Sequence, residues 1–372
     1  MTCVLLPNLF FEEELQSTAT AASPRARQTV AEIGPVMGLL AGETQGSSTS
    51  LDASPLRSIV VVADDARPDE VPPALLGVEF LTIDELAARV TLEPEPNPAR
   101  SNDWVAVPWG WSNPAVAIFQ SAGLRINAPD SDVVQYINSR QFQSTFDAAI
   151  EIDGTQRVDS FGTLCRSLPE VAAAIKVACA YSPRGWVIKA DLSHASRNRL
   201  LGTSTDLRSE QRAWLMTRFA AGESVYVEPW VERISECGLQ FDVPQSRGPV
   251  ATIEFSGAAE MLTDDAGRYR GSIVRSTVHD AVWQPAIDHC FQIAKSAATQ
   301  GYFGPLGIDC MVFRCPGQHT HWLRLSHDIN ARFTMGRVAL SLRRFLETGE
   351  AGLWVHGATN SVLRNGKKAD GD

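Results

Sequence analysis

Four polar residues near the end of the chain have the types and the spacing of a metal and phosphate site. Asp309 lies near the start of an apolar segment, and Asp328, Asn330 and Arg332 follow later at intervals of two. Because side chains alternate along an extended chain, the last three are predicted to share one face, and a hairpin would bring Asp309 toward them. Mg²⁺ prefers oxygen ligands, and arginine supplies a permanent charge for a phosphoryl group. The alternative is a solvated strand edge.

A lysine stands at the end of a predicted strand in the middle of the chain. Lys189 belongs to the apolar run Trp186–Ala190, and a polar loop follows over residues 191–202. A strand-end lysine together with the backbone amides of such a loop can bind phosphates. The alternative is a surface lysine beside an ordinary loop.

A further apolar strand is predicted over residues 225–231. It runs into the connector Glu228-Pro-Trp230-Val231. A connector of this kind can offer backbone groups to the edge of an adenine ring. The alternative is a plain strand that binds no ligand.

Taken in this order, these segments resemble the ATP-grasp superfamily over roughly residues 100–345. The resemblance implies a flexible phosphate-covering loop after Lys189, an adenine-binding hinge that begins at Glu228, and an acidic ribose ligand at Glu236. It assigns ATP binding to Arg140, Lys189, Ser193, Glu228, Trp230, Val231 and Glu236. For the chemical step it implies Mg²⁺, with Mn²⁺ as a substitute, held by Asp309, Asp328 and Asn330, and it makes Arg332 and Lys189 catalytic.

The sequence departs from the family pattern at two charged positions. Arg140 stands where lysine is usual, and Asp328 stands where glutamate usually precedes the x-Asn motif. Both departures keep the charge. The predicted phosphate loop is also unusual, because it contains no glycine before Gly202.

The elements around these residues predict an α/β protein with an α+β arrangement in the ATP-binding clamp. Parallel strands are predicted at 58–63, 104–107 and 124–128, with a helix over 113–122. A capping box at Ser167–Glu170 predicts the start of another helix. The expected organisation is a Rossmann-like pre-ATP-grasp domain over 1–130, a small lid subdomain with a linking helix over 131–224, a C-terminal ATP-grasp subdomain with the metal site over 225–350, and a partly disordered tail over 351–372.

Composition limits the kinds of partner. The chain is 44% apolar and carries a formal charge of −10, so nucleic acid and anionic membrane surfaces are not expected as partners. The seven cysteines lack paired spacing, which favours reduced thiols and a cytoplasmic location. Because many members of the resembling family form dimers, a homodimer is a further expectation.

The resemblance implies ligation of a small-molecule carboxylate to an amine through an acylphosphate, with release of ADP and phosphate. Small-molecule or cofactor biosynthesis, such as the addition of an amino acid, would be typical. Two alternatives stay open: a phosphotransferase on the same fold, and a nucleotide-binding module with little turnover.

The substrate side is less clear from the sequence. Arg268, Arg270 or Arg275 can clamp a carboxylate, and a hairpin with solvated arginines is the alternative. His327 is predicted to point away from the site, because it directly precedes Asp328 on a strand.

Overall fold

The computed structural model describes residues 2–16, 24–42, 57–63, 67–68, 71, 73–92, 104–152, 154, 156–192, 198–245, 252–275, 281–314, 320–356 and 361–366. The chain forms two compact units. One consists of Met1–Val134 and Arg332–Phe345, and the other of Gln135–Ala331 and Leu346–Asp372. The segment 332–345, which we expected in the C-terminal subdomain, groups with the N-terminal unit.

The N-terminal unit contains a parallel sheet with helices between its strands. The strands are β1 (Thr2–Leu6), β2 (Arg57–Val61), β3 (Val78–Leu81) and β4 (Trp104–Pro108). They lie in the order β3-β2-β1-β4, and all three pairings are parallel. The helices are α1 (Phe11–Leu15), α2 (Pro24–Ile33), α3 (Ile83–Leu92) and α4 (Asn113–Ser121).

Two strands of this sheet follow apolar runs of the sequence. The predicted strands at 58–63 and 104–107 are confirmed as β2 and β4. The strand predicted over 124–128 is wrong, since these residues are irregular. The Leu124 N–H donates to the Phe119 carbonyl at 3.1 Å and thereby completes the end of α4.

The C-terminal unit contains a small antiparallel sheet with two helices packed on it. Helix α5 (Ser131–Asn138) spans the division between the units, and α6 (Arg140–Ser144) follows. After β5 (Ala148–Glu151) and β6 (Arg157–Asp159), the small sheet is built from β7 (Thr163–Cys165), β8 (Trp186–Ala190), β9 (Arg199–Gly202) and β10 (Val225–Pro229). Its order is β7-β10-β8-β9. Helices α7 (Leu168–Tyr181) and α8 (Ser209–Ala220) cover it through a shared apolar core.

The start of α7 agrees with the predicted capping box in one of its two hydrogen bonds. The Ser167 hydroxyl accepts from the Glu170 N–H at 3.4 Å. The Glu170 carboxylate accepts from the Arg166 N–H at 2.6 Å, one residue before the cap.

A larger antiparallel sheet makes up the rest of the C-terminal unit. Its further strands are β11 (Glu232–Val243), β12 (Glu254–Thr263), β13 (Tyr269–Arg275), β14 (Gly304–Arg314), β15 (His321–Asn330), β16 (Ala351–His356) and β17 (Ser361–Gly366). The order is β17-β16-β13-β12-β11-β14-β15-β5-β6. Helix α9 (Gln284–Thr299) contacts β11, β14 and β15, whereas α10 (Met335–Ser341) belongs to the N-terminal unit.

Part of the C-terminal segment, which was predicted to be partly disordered, forms two strands. β16 pairs with β13, and β17 pairs with β16, with Trp354 opposite Leu363. Backbone hydrogen bonds to the edge of the large sheet stabilise these two strands. Residues 367–372 lie outside the described residues. In the described part of the chain, no helix is long and apolar enough to span a membrane.

Candidate functional site

One cavity in the C-terminal unit brings together most of the residues that the sequence singled out. Residues of both sheets line it, and its volume is about 170 Å³. Among the predicted residues, its lining includes Arg140, Lys189, Glu228, Trp230, Val231, Glu236, Asp309 and Asp328. Asn330 is not part of the described lining, and Ser193 lies outside the described residues.

Lys189 and Glu228 form a buried ion pair on the cavity wall. They lie on the neighbouring strands β8 and β10, and the Lys189 Nζ is 2.7 Å from the Glu228 Oε1. Burial lowers the pKa of Lys189, attraction to Glu228 opposes this, and Arg140 lowers it further. The predicted phosphate-binding cation therefore already has an internal partner.

A fully buried arginine, missed in the sequence analysis, holds Glu228 from the other side. Arg324 on β15 is 0% exposed. Its Nη1 donates to the Glu228 Oε2 at 2.8 Å, and its Nε donates to the Asp147 Oδ1 at 3.0 Å. Asp147 also accepts from the Tyr226 hydroxyl and from the Gly162 N–H. This network joins the small sheet to the large one.

The charged groups of this network shift one another's pKa values and so keep one another ionised. Burial alone would lower the pKa of Arg324, but Asp147 and Glu228 outweigh it and raise that pKa. Burial alone would raise the pKa of Glu228, but Arg324 and Lys189 lower it well below its usual range. A signal for Arg324 was present in the sequence, namely a lone arginine inside the apolar run 322–325.

The two positions at which the sequence departs from the family pattern are in direct contact. The Arg140 Nη1 donates to the Asp328 Oδ1 at 2.8 Å, and the Nη2 donates to Oδ2 at 3.2 Å. The side chain of Arg140 is 3% exposed and that of Asp328 is 26% exposed. Burial alone would raise the pKa of Asp328, but Arg140 and Lys189 lower it.

The two predicted metal-binding carboxylates face each other. Asp309 on β14 pairs directly with Asp328 on β15, so the predicted hairpin is confirmed. Asn330 lies two positions further, opposite Gly307. Cross-strand carboxylates suit Mg²⁺ in donor type, since this ion is usually held by one or two carboxylates together with substrate phosphates. Within the described ranges, no group of three or more His, Cys, Asp or Glu residues is arranged to hold a metal ion.

A bulge in β15 changes which side chains face the cavity. The ladder passes from the pair Asp309–Asp328 to the pair Met311–Arg324, so three residues of β15 stand opposite one of β14. His327 therefore lines the cavity together with its neighbour, and the predicted opposite orientation is wrong. Burial, reinforced by neighbouring cations, lowers the pKa of His327 to about 4, which keeps the imidazole neutral at neutral pH.

Two further arginines, also missed in the sequence analysis, surround Trp230. The guanidinium carbons of Arg233 and Arg199 lie 4.5 and 5.4 Å from the centre of its ring. Glu236, the predicted ribose ligand, accepts from the Arg233 Nη1 at 3.4 Å and from the Thr263 hydroxyl. This end of the cavity therefore combines an aromatic ring with two guanidinium groups and one carboxylate.

The main chain of Trp230 is engaged within the protein. Its N–H donates to the Gly185 carbonyl at 2.9 Å, and its carbonyl accepts from the Ser182 hydroxyl at 2.6 Å. A ligand contact of Trp230 therefore falls to its indole ring. Val231, the end of the predicted hinge, is 3% exposed and belongs to an apolar core.

The strand does not continue to Arg332. β15 ends at Asn330, and a bend follows, so side-chain alternation stops there. Arg332 belongs to the N-terminal unit, where its Nε pairs with the Glu12 carboxylate and its Nη1 donates to the Phe333 carbonyl at 2.9 Å. The predicted shared face is therefore wrong for Arg332.

The arginines of the β12–β13 hairpin have partners of their own. The Arg268 Nε and the Arg270 Nη2 each lie 2.9 Å from the Asp264 Oδ2, and the Arg275 Nε lies 2.9 Å from the Glu260 Oε1. All three arginine side chains are about half exposed or more. Arg268, Arg270 and Arg275 therefore match the alternative interpretation, a hairpin with solvated arginines.

Comparison with known proteins gives matches in fold. No protein-family model matches the sequence, and no curated protein matches it significantly. A pyruvate carboxylase structure from Rhizobium etli superposes with a TM-score of 0.51 at 12% identity, over 95% of this chain and 31% of that chain. Biotin carboxylase from Campylobacter jejuni gives 0.49 at 12% identity, over 95% and 75%. A protein from Archaeoglobus fulgidus assigned to the ATP-grasp superfamily gives 0.47 at 10% identity, over 98% and 99%.

The chain shares the fold of the matched part of the Rhizobium etli pyruvate carboxylase. The predicted α/β class, with an antiparallel clamp after a parallel sheet, is confirmed. Because the identities are only 10–12%, the likeness concerns the fold alone.

Proposed function

We propose that this protein is an ATP- and Mg²⁺-dependent ligase that joins a small-molecule carboxylate to an amine through an acylphosphate. One observation carries the proposal: residues from distant parts of the chain, Arg140, Lys189, the 228–231 connector, Glu236 and the Asp309–Asp328 pair, line a single cavity. Cations, a neighbouring aromatic ring and two carboxylates in one cavity suit a nucleoside triphosphate.

The residues of the cavity divide into a base end and a phosphate end. Trp230 and the connector border the base, and Glu236 accepts hydrogen bonds from the ribose hydroxyls. Lys189 and Arg140 turn from their internal partners to the phosphate oxygens. Fixed cations stabilise the charge that develops on the transferred phosphoryl group.

The donor set at the phosphate end fits a divalent cation. Asp309 and Asp328 would hold Mg²⁺, and Asn330 remains a predicted third ligand. When bound, Mg²⁺ neutralises charge on the β- and γ-phosphates. Arg332 is assigned no step, because its guanidinium pairs with Glu12.

The proposed reaction has two displacements. A carboxylate oxygen of the first substrate attacks the γ-phosphorus of ATP, and the bond to the β–γ bridging oxygen breaks to release ADP. The amine nitrogen of the second substrate then attacks the acyl carbon, phosphate leaves with the electrons of the carbon–oxygen bond, and the nitrogen loses a proton. No enzyme nucleophile is needed, because positioning and charge neutralisation supply the catalysis.

One observation favours a second candidate, a nucleotide-binding module with little turnover. The cations Arg140, Lys189 and Arg233 are each paired with a carboxylate of the same cavity. A site that balances its own charges has less net attraction for phosphates than one with unbalanced cations.

Product formation separates the two candidates. ADP and phosphate release by the full chain is measured against a panel of carboxylates and amines, including amino acids. Release that depends on both substrates, with a product mass equal to their sum minus water, is the ligase result. Tight ATP binding without release for any pair would instead establish the binding module.

Several attributes of the proposed ligase stay predictions. All six cysteines in the described part of the chain are thiols outside any disulfide, in keeping with the proposed cytoplasmic location. A homodimer, and the absence of nucleic-acid and membrane partners, are proposed with it. Native mass spectrometry of the full chain measures the oligomeric state directly.

A further inference from the structure

We propose that Arg140 is a resident counter-ion of Asp328 that a divalent cation has to displace, so that metal and nucleotide binding depend on each other. The inference rests on the proposed nucleotide site and describes how that site is regulated. It concerns the contact between the two positions that depart from the family pattern.

Both members of the pair line the cavity, but the carboxylate is the more exposed of the two. Both Asp328 oxygens accept from Arg140, at 2.8 and 3.2 Å. Asp328 is 26% exposed, so a metal can reach it from the cavity, whereas Arg140 is 3% exposed. A parallel, two-point contact of this kind is among the strongest that a carboxylate makes.

Neighbouring groups hold the guanidinium in this position. The Gln143 Oε1 accepts from the Arg140 Nη1, while the Gln143 Nε2 donates to the His327 carbonyl at 2.7 Å. The backbone N–H of Arg140 donates to the Asp191 carbonyl at 3.1 Å. The start of α6 is therefore docked on β15 next to Asp328.

A metal ion that binds Asp328 without nucleotide would deprive the buried Arg140 of its two-point partner, although Glu228 and Asp191 still attract this cation. Removing one partner of a buried pair is strongly unfavourable, so metal without nucleotide is expected to bind weakly. Nucleotide phosphates supply a replacement anion for Arg140. Conversely, phosphates that attract Arg140 in the absence of metal deprive the Asp328 carboxylate of the same contact, although Lys189 still attracts it. Each ligand therefore raises the affinity for the other by the same factor.

The second phosphate-facing cation of the cavity lacks this property. When Lys189 turns toward phosphates, Glu228 still has Arg324 on its other oxygen at 2.8 Å. When Lys189 moves to the phosphates, the Glu228 carboxylate therefore keeps a cationic partner. The coupling is assigned to Arg140 and Asp328 alone.

Binding of Mn²⁺ without nucleotide tests the pair. Free Mn²⁺ is measured by electron paramagnetic resonance with the full-length wild type, with Arg140→Gln and with the control Arg199→Gln. Arg199 lines the same cavity but donates to the Ala266 carbonyl. We expect Arg140→Gln to bind Mn²⁺ about tenfold more tightly than wild type and Arg199→Gln to match wild type. Equal affinity in Arg140→Gln and wild type, or equal tightening in both variants, overturns the inference.

Binding of ADP in the presence of EDTA is a second test of the inference. It can be carried out even when the Arg140→Gln variant does not fold. Asp328→Asn releases Arg140 to the phosphates, so we expect metal-free ADP to bind about tenfold more tightly than in wild type. The control Glu260→Gln removes the same charge from strand β12, where Glu260 pairs with Arg275 outside the cavity, and should not strengthen binding. Unchanged or weaker ADP binding by Asp328→Asn overturns the inference.

A separate measurement tests the proposed nucleotide site. Failure of the wild type to bind ATP or ADP in the presence of Mg²⁺ refutes the nucleotide site itself. The Mn²⁺ arm contains no nucleotide, so its result still decides whether Arg140 competes with metal for Asp328.

Discussion

Charged side chains in and behind the cavity alternate in sign from one partner to the next. Asp147, Arg324, Glu228 and Lys189 form a continuous series of contacts that runs from the buried interior to the cavity wall. Buried charges are tolerated only when they are paired and hydrogen-bonded, so each member depends on the next. Lys189, the proposed phosphate-binding cation, is therefore positioned through Glu228 and Arg324.

The pH dependence of ATP binding should report the titration of Lys189. Burial lowers its pKa from the ordinary value of 10.5, so the cation and its contribution to affinity are present below this lowered pKa and are lost as pH rises through it. Calorimetric ATP affinity of the wild type should fall at alkaline pH. Lys189→Arg, which keeps its charge, should show a flatter profile over the same range. Parallel profiles would contradict this assignment.

Removal of Arg324 should destabilise the fold strongly. Arg324→Met leaves Asp147 and Glu228 as buried carboxylates that have lost their shared cation, at a cost of about 3–5 kcal/mol in the free energy of unfolding. Urea denaturation measures this cost. The control Arg314→Met removes an arginine from the adjacent strand, where it pairs with Glu232 at the surface, and should cost about 1 kcal/mol or less. Similar losses in both variants would refute the structural role of Arg324.

At the scale of elements, the β14–β15 hairpin shows what a sequence pattern can and cannot predict. Strand alternation and the two apolar runs correctly placed Asp309 against Asp328. They could not predict the bulge, because an extra residue in a ladder is fixed by pairing with the neighbouring strand and not by local propensity. The orientation of His327 was missed for this reason, whereas Arg332 was misplaced because β15 ends at Asn330 and a bend follows.

The N-terminal cap of α7 offers a test at this scale. The Ser167 hydroxyl accepts from the Glu170 N–H, so Ser167→Ala should lower the free energy of unfolding by about 1 kcal/mol. The control Thr217→Ala removes a hydroxyl from within α8, where alanine has the higher helix propensity, and should cost less. Urea denaturation compares the two. A larger loss in Thr217→Ala than in Ser167→Ala would contradict the capping role.

For the whole molecule, the order of motifs along the chain predicted the fold better than any single motif did. The residues Lys189, Glu228, Glu236, Asp309 and Asp328, which were predicted to bind nucleotide or metal, line one cavity although they come from five strands, whereas Asn330 is not in the described lining. The Arg324 network was not predictable, because it joins residues nearly two hundred positions apart and only the tertiary fold brings them together. The assignment of Arg332–Phe345 to the N-terminal unit was missed for the same reason.

The central claim is that the cavity around Lys189 binds Mg²⁺·ATP. The most direct measurement is isothermal titration of Mg²⁺·ATP into the full-length wild type, into Lys189→Met, and into Lys176→Met as a control on the exposed face of α7. We predict saturable binding by the wild type and by Lys176→Met, and about tenfold or greater weakening in Lys189→Met, as for loss of a charged contact. Equal affinity in all three proteins, or no binding by the wild type, would contradict it.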